Sequence, residues 1–366
     1  MSERAIISAL SAIAAACLLS IVTLDAAWAA EDNWDTVVVA AMKEGELVIK
    51  GAPGKVYTDV FTQGFEKKYP GIKVSYTGLN GFESIPKIQR EREAGIYNWD
   101  VYLGGTPSIL STLKPAGAFA PLKPVLRADI TDDKNWRGGF DAGWEDNDKK
   151  FTYAYDFTVS APAYVNWDFV KPEDLKTYRD LLKPELAGKI VWDDPRRGGP
   201  GINAGAVLMA NYGDDFLATL TRTQKIAYTT NGREIAEWIV RGKYPIGLAA
   251  GSQYLEQFWK QGLGKNVKAY MDDIQKLNGG PGFGCVALMD HAPHPNAAKL
   301  YVNWLLSKEG QTEYVKSVRN SRRLDVPAGD PDLLPQSGRE YADTQTEASI
   351  ALREKEMAIT KANIAQ

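Results

Sequence analysis

Apolar positions along the chain alternate between two rhythms. Short runs of strand length, "ELVIKG" (46–51), "GIKVSYTG" (71–78) and "NWDVYLGG" (98–105), are each followed by a stretch with helical spacing, "KVYTDVFTQGFEKKYP", "ESIPKIQREREAG" and "TPSILSTLKPAG". In the first helix Val60, Phe61 and Phe65 fall on one face. The same logic returns where "GKIVWDD" (188–194) runs into "NAGAVLMANYG" and "YPIGLAAG" (244–251) into "SQYLEQFWKQG". Strand-then-helix units in series predict an α/β fold on mainly parallel sheets. The two sets predict two lobes. Between them lies the aromatic, strand-like "FTYAYDFTVSAPAYVNWD" (151–168), and after the second comes "GFGCVALM" (282–289). Short segments near 157–165 and 282–289 are therefore expected to join the lobes. The chain then returns in "HPNAAKLYVNWLLSKEG", where Ala297, Leu300, Tyr301, Trp304 and Leu305 form the buried stripe of a helix. The tail 343–366 reads as a final helix whose "LREKEM" presents a solvated face.

The N-terminus adds an address. Arg4 precedes a nearly uncharged apolar run (5–24), and Ala27-Trp28-Ala29 fits the small-x-small rule for export cleavage, which predicts a signal peptide over 1–29 cut after Ala29. The run is long enough to span a membrane, but the small residues and the polar "EDNWD" that follows favour cleavage. Cys17 then leaves with the peptide and Cys285 is the one remaining thiol, so no internal disulfide can form. The formal net charge of −3 argues against a nucleic-acid partner or a membrane-coating helix.

Five phrases in order, "EGELVIKGAPGKVYTDVFTQGFEKKYPGIKVSYTG", "WDVYLGG", "DLLKPELAGKIVWDDP", "VRGKYPIGLAAG" and "APHPNAAKLYVNWLLSKEGQ", resemble the periplasmic solute-binding proteins of ABC importers, in the ferric-iron-type branch. The resemblance spans essentially the whole chain after the signal. It implies the two-lobed type II periplasmic-binding-protein fold, with ligand enclosed between lobes joined by two crossover strands. Lobe 1 would comprise 30–156 and 290–366, and lobe 2 would comprise 157–289 with both crossovers. It further implies a periplasmic monomer without cofactor that hands a small molecule to the transmembrane subunits of a permease, and no enzymatic activity.

Ligands of open α/β sheets bind beyond the carboxyl ends of strands. The loops there are "GAPGK" (51–55) with Pro53, "GLNG" (78–81) with Asn80, and "GGTPS" (104–108) with Gly105 and Thr106. In the second lobe they are "DDPRRGGPG" (193–201) with Arg196, Arg197 and Gly199, and "AAGSQ" (249–253) with Ser252 and Gln253. Glycine lets backbone N–H groups approach a ligand, although Gly and Pro also simply end strands. Tyr155 and Asp156 on the first crossover complete the candidate set. Family members that bind bare ferric ion resemble one another in an adjacent tyrosine pair; here Ser252-Gln253 stands in its place and Tyr254 is alone, so no metal site is expected. Arg196 and Arg197 have two readings: a bidentate cradle for a carboxylate, phosphate or phosphonate, or salt bridges to Asp193 and Asp194. The expected cargo is a small polar, anionic solute, with ferric ion or a ferric chelate as the alternative. Cys285 near His291 raises a thiol nucleophile, but it sits in an apolar strand-like run and no catalytic motif accompanies it. His291 and His294 flank Pro293, where turn or cap roles are expected.

Overall fold

The structure is a computed structural model that describes residues 34–197, 199–271 and 277–364; the expected signal peptide and cleavage site, and Cys17, lie outside the described residues. The first lobe opens with α1 (Trp34–Glu44), β1 (Glu46–Gly51), α2 (Lys55–Lys68), β2 (Lys73–Gly78), α3 (Gly81–Glu93) and β3 (Val101–Leu103). After β4 (Phe119–Ala120) and β5 (Thr152–Ala154) the chain leaves through β6 (Thr158–Ser160). The second lobe holds β7 (Ala163–Asn166), β8 (Ile190–Asp193), α4 (Pro200–Tyr212), α5 (Asp214–Thr223), β9 (Ala227–Thr229), α6 (Gly232–Val240), β10 (Ile246–Leu248), α7 (Ser252–Trp259) and β11 (Val267–Tyr270). Strand β12 (Leu277–Gly280) leads back to β13 (Cys285–Met289), α8 (Pro295–Leu306) and α9 (Lys308–Tyr314), and the chain closes with β14 (Tyr341–Ala342) and α10 (Ile350–Asn363).

Each lobe is a sheet with helices on both faces. The first sheet runs β2-β1-β3-β13-β4 with β5 also on β13, and the second runs β11-β7-β10-β8-β9. In β1 the side chains alternate as the pleat requires: Leu47 and Ile49 enter the core formed with Phe61, Phe65, Tyr301 and Trp304, while Val48 packs with Ile85, Ile88 and Tyr102 under α3. The five stripe residues of α8 are all buried. The second lobe likewise has one core under α4 and α5 and another under α6 and α7.

Three differences from the sequence expectation matter for the site. Cys285–Met289 is not a crossover: it pairs antiparallel with β3, β4 and β5 inside the first sheet, and its five consecutive buried residues are what a strand covered on both faces requires. The return crossover lies just upstream, in β12, which joins β6 and β14 in a separate three-stranded sheet between the lobes. Finally, the C-terminal segment does not stay with the first lobe. Helix α10 packs on α4 and α5, so the chain passes between the lobes three times. Arg353 and Glu356 of "LREKEM", expected in solvent, are 8% and 0% exposed. The flat Ala204-Gly205-Ala206 surface of α4 receives them, and a side chain at Gly205 would put its first carbon 2.2 Å from Glu356 Oε1.

Candidate functional site

The carboxyl-end loops of the first sheet lie against the segments that pass between the lobes, and charged groups of both lobes act on one another there. On the first lobe, Pro53 and Gly78 touch: a Cβ at Gly78 would lie 2.9 Å from Pro53 Cα, so only glycine lets these two loops close up. Asn80 starts α3, and its N–H donates to Glu83 Oε2 at 2.9 Å. Thr106 is buried and its hydroxyl donates to the carbonyl of Gln345 at 2.7 Å. Gly105 lies against Gly282 and Gln345, and the Gln345 amide, with its nitrogen toward Gly282 O, bonds both the carbonyl (2.9 Å) and the N–H (2.8 Å) of Gly282. The third passage of the chain is thus clasped to a loop expected to face ligand. Beneath that loop the Lys50 amine is 2% exposed, 4.1 Å from the Tyr102 ring centroid, and drawn down to about 7, chiefly by burial.

On the second lobe the two arginines separate. Arg196 is gripped by Asp194, Nε to Oδ1 and Nη2 to Oδ2, both at 2.9 Å, so the fork that would hold a ligand carboxylate is already occupied. Arg197 is exposed, and Gly199 is exposed with φ 77 at the start of α4. Asp193 does not hold either guanidinium; burial pushes its carboxyl up to about 7. With the Arg196 side chain 28% exposed, Arg196→Ala is expected to lower stability by under about 1 kcal/mol in urea unfolding. A loss above about 2 kcal/mol would show that the pair is a buried structural element. Ser252 and Gln253 open α7, with Ser252 half-buried and Gln253 exposed. Just before them Ala249 adopts a left-handed φ of 58, unusual for a residue with a Cβ and of the kind found at binding corners.

Tyr155 and Asp156 are adjacent but play different parts. Tyr155 is fully buried in the first-lobe core, edge-on to Tyr314 at 4.9 Å, and its hydroxyl has no partner among the described residues. Burial pushes its phenol far up, the opposite of what phenolate ligation to a metal requires. Asp156 is also fully buried, yet it gathers polar groups: Thr158 and Tyr314 hydroxyls donate to it, and Arg319 Nε donates to Oδ2 at 2.7 Å. Burial is the larger influence on the Asp156 carboxyl and raises it, opposed by Arg319 and those hydrogen bonds. Burial also works against the Arg319 charge, but Asp156, Tyr314 and Tyr57 outweigh it and hold the guanidinium above its ordinary value.

Arg319 lies where the lobes meet. Its charge acts on the phenol of Tyr57 in α2 of the first lobe and on that of Tyr164 in β7 of the second. Burial raises both phenols, Tyr164 to about 12, and Ser252 bonds the Tyr164 hydroxyl. Tyr254 and Glu256 of α7 bear on Tyr57 from the other lobe, and Glu256 and Asp330 bear on Tyr164. Arg319 was missed by the sequence reading, because "VRNSRR" after a helix looks like ordinary surface.

The histidines serve the scaffold. His294 starts α8, with its N–H and ring Nδ1 on the buried Asp100 at 2.7 and 2.9 Å, and His291 stacks on Tyr97 at 4.6 Å. Among the described residues no group of three or more His, Cys, Asp or Glu is placed to hold a metal ion. Cys285 is buried and unpaired, and burial raises its thiol well above the ordinary value, which removes the nucleophilic thiolate.

Two sheets joined through a small third sheet agree with the match of residues 61–322 to bacterial extracellular solute-binding proteins. The chain belongs to that family. This solute-binding protein is 25% identical over 282 residues to an uncharacterized protein of Haemophilus influenzae, covering 74% of this chain and 76% of the relative. Its fold is that of the periplasmic binding protein AfuA from Actinobacillus pleuropneumoniae, solved with exogenous fructose-6-phosphate (TM-score 0.65, 21% identity, 87% of this chain and 98% of that one). Iron-bound HitA from Pseudomonas aeruginosa shares it too (TM-score 0.66, 18% identity, 87% and 98%). The family consists of binding proteins of the ABC-importer type, and this member is one of them.

Proposed function

We propose that this solute-binding protein works in the periplasm as a monomer. It captures a small polar organic anion between its lobes and delivers it to the membrane subunits of an ABC permease. The observation that carries the reading is the separate β6-β12-β14 sheet at the three passages between lobes. Bending there moves each packed lobe as a body, the least costly motion two close-packed cores allow. A ligand touching both lobes stabilises the closed form because only that form makes both sets of contacts.

Of the cargo chemistries bound by its structural neighbours, sugar phosphate and iron, an organic anion suits this cleft better. The phenols here are raised by burial, and proton loss to a ferric ion would have to overcome that. Native mass spectrometry of protein purified without refolding should reveal a bound small anion, and small-angle scattering should give a smaller radius of gyration on saturation with it. A confirmed ligand with an unchanged scattering profile would refute closure, and a ferric ion in place of an organic anion would refute the cargo class.

A further inference from the structure

We propose that Arg319 is the anion anchor of the cleft, taking on its free edge the negative group of a small organic anion that also carries hydroxyl or amine donors. The inference rests on the solute-binding reading and narrows its ligand class.

Arg319 is fixed before any ligand arrives. The stretch that carries it is laced to the first crossover: Asp156 bridges to Ser321, the Phe157 N–H donates to Asn320 O at 2.9 Å and the Arg322 N–H to Tyr155 O at 2.7 Å. The Asn320 N–H donates to the Thr158 hydroxyl at 3.0 Å. Asp156, itself pinned by Thr158 and Tyr314, then takes Nε and sets the plane of the guanidinium. A fork oriented in advance loses little rotamer freedom on binding.

Its donors are only partly used. Five N–H groups are available; Nε serves Asp156, and Nη2 has a long 3.4 Å contact with Pro281 O. Nη1 and the rest of Nη2 have no bond to a described residue, while the side chain keeps 20% of its surface exposed. Gly282, with φ 55, keeps that edge clear: a Cβ there would lie 2.5 Å from Nη2. Because Asp156 balances the charge, the anion meets oriented N–H donors on a compensated pair rather than a bare buried cation.

The surroundings set the rest of the ligand. Tyr57 of the first lobe has no hydrogen bond for its hydroxyl among the described residues, and its ring packs on Phe61 and Phe283. From the second lobe come Tyr164 with Ser252 and the acid Glu256, and from the segment bonded to Asn320 comes Asp330; the charges of both acids reach Tyr164. Those two acids repel a multiply charged anion lacking donors and accept from hydroxyls or amines. The cleft therefore discriminates by a repulsive element as well as an attractive one.

The test uses the full-length exported protein and four probes: fructose-6-phosphate, citrate, inorganic phosphate and uncharged fructose, by thermal shift and calorimetry. At least one organic anion should bind, fructose should not, and Arg319→Gln should weaken that anion at least about thirtyfold. Arg319→Lys keeps the charge without the fork and should recover only part of the loss, and Tyr57→Phe, which deletes one hydroxyl, should weaken binding about tenfold. The melting point of each variant without ligand separates misfolding from lost recognition. Equal affinity in Arg319→Gln, or silence from every anionic probe, would overturn the anchor. Fructose binding as tightly as its phosphate, with lobe closure, would overturn the anchor and leave the solute-binding reading standing.

Discussion

Asp156→Ala is expected to destabilise the protein by roughly 3–5 kcal/mol in urea unfolding. The carboxyl is fully buried and bonded by Arg319, Thr158 and Tyr314. Removing it leaves a guanidinium largely out of water with no counter-charge and two hydroxyls without their acceptor, and stranding one member of a buried pair costs far more than an exposed ion pair contributes. Asp156→Asn keeps an acceptor without the charge and should fall in between. The double variant Asp156→Ala with Arg319→Met should recover much of the loss, because it removes the stranded cation along with its partner. A loss below about 1 kcal/mol in the single variant would show that water reaches the pair and that its apparent burial has no energetic consequence.

The second large effect is a pH dependence located at Glu356. Glu356 is 0% exposed, neither carboxyl oxygen has a partner among the described residues, and it presses on Gly205 of α4. Burial raises its pKa from the ordinary 4.5 to about 8, with Arg353 pulling the other way. Arg353 is lowered to about 10, also by burial first, and its Nη1 bonds Asn203 instead of Glu356. The folded state therefore holds a proton that the unfolded chain releases. The stability from this group is complete below about pH 4.5, falls as pH rises towards 8, and is gone above it. Across that window the wild type should lose on the order of 5 kcal/mol from this residue, while Glu356→Gln should show a much flatter profile. Glu356→Met, apolar and of similar length, should exceed the wild type in stability at pH 9. Parallel pH profiles for wild type and Glu356→Gln would show that the carboxyl finds a partner or water that neutralises the cost of ionising it.

The two lobes, their βα units and the α8 stripe were legible because burial imposes a period on local sequence, and that period can be counted without knowing the partner. Membership of a binding-protein family was legible for a related reason, since strand ends and glycine loops recur in order along the chain. Arg196 shows the limit: beside Asp194 in sequence, it suited a ligand cradle and a local salt bridge equally, and only its geometry, two 2.9 Å bonds, assigned its fork. Tyr155 likewise suited a ligand-facing crossover by its place in the sequence, and only the fold put it in a sealed aromatic core.

What the sequence by itself determined is therefore local and periodic: which segments are strands or helices, which faces are apolar, and the kind of protein they build. Tertiary structure alone decided which charges left solvent. The "LREKEM" of α10 has the composition of a wet surface, yet Arg353 and Glu356 lie inside because α4 offers a side-chain-free strip at Gly205. Arg319 and Asp156 stand 163 positions apart, and no local pattern links them. Their pairing exists because the chain passes repeatedly through one small sheet, and the cost of burying a charge depends on neighbours that only the folded chain brings within reach.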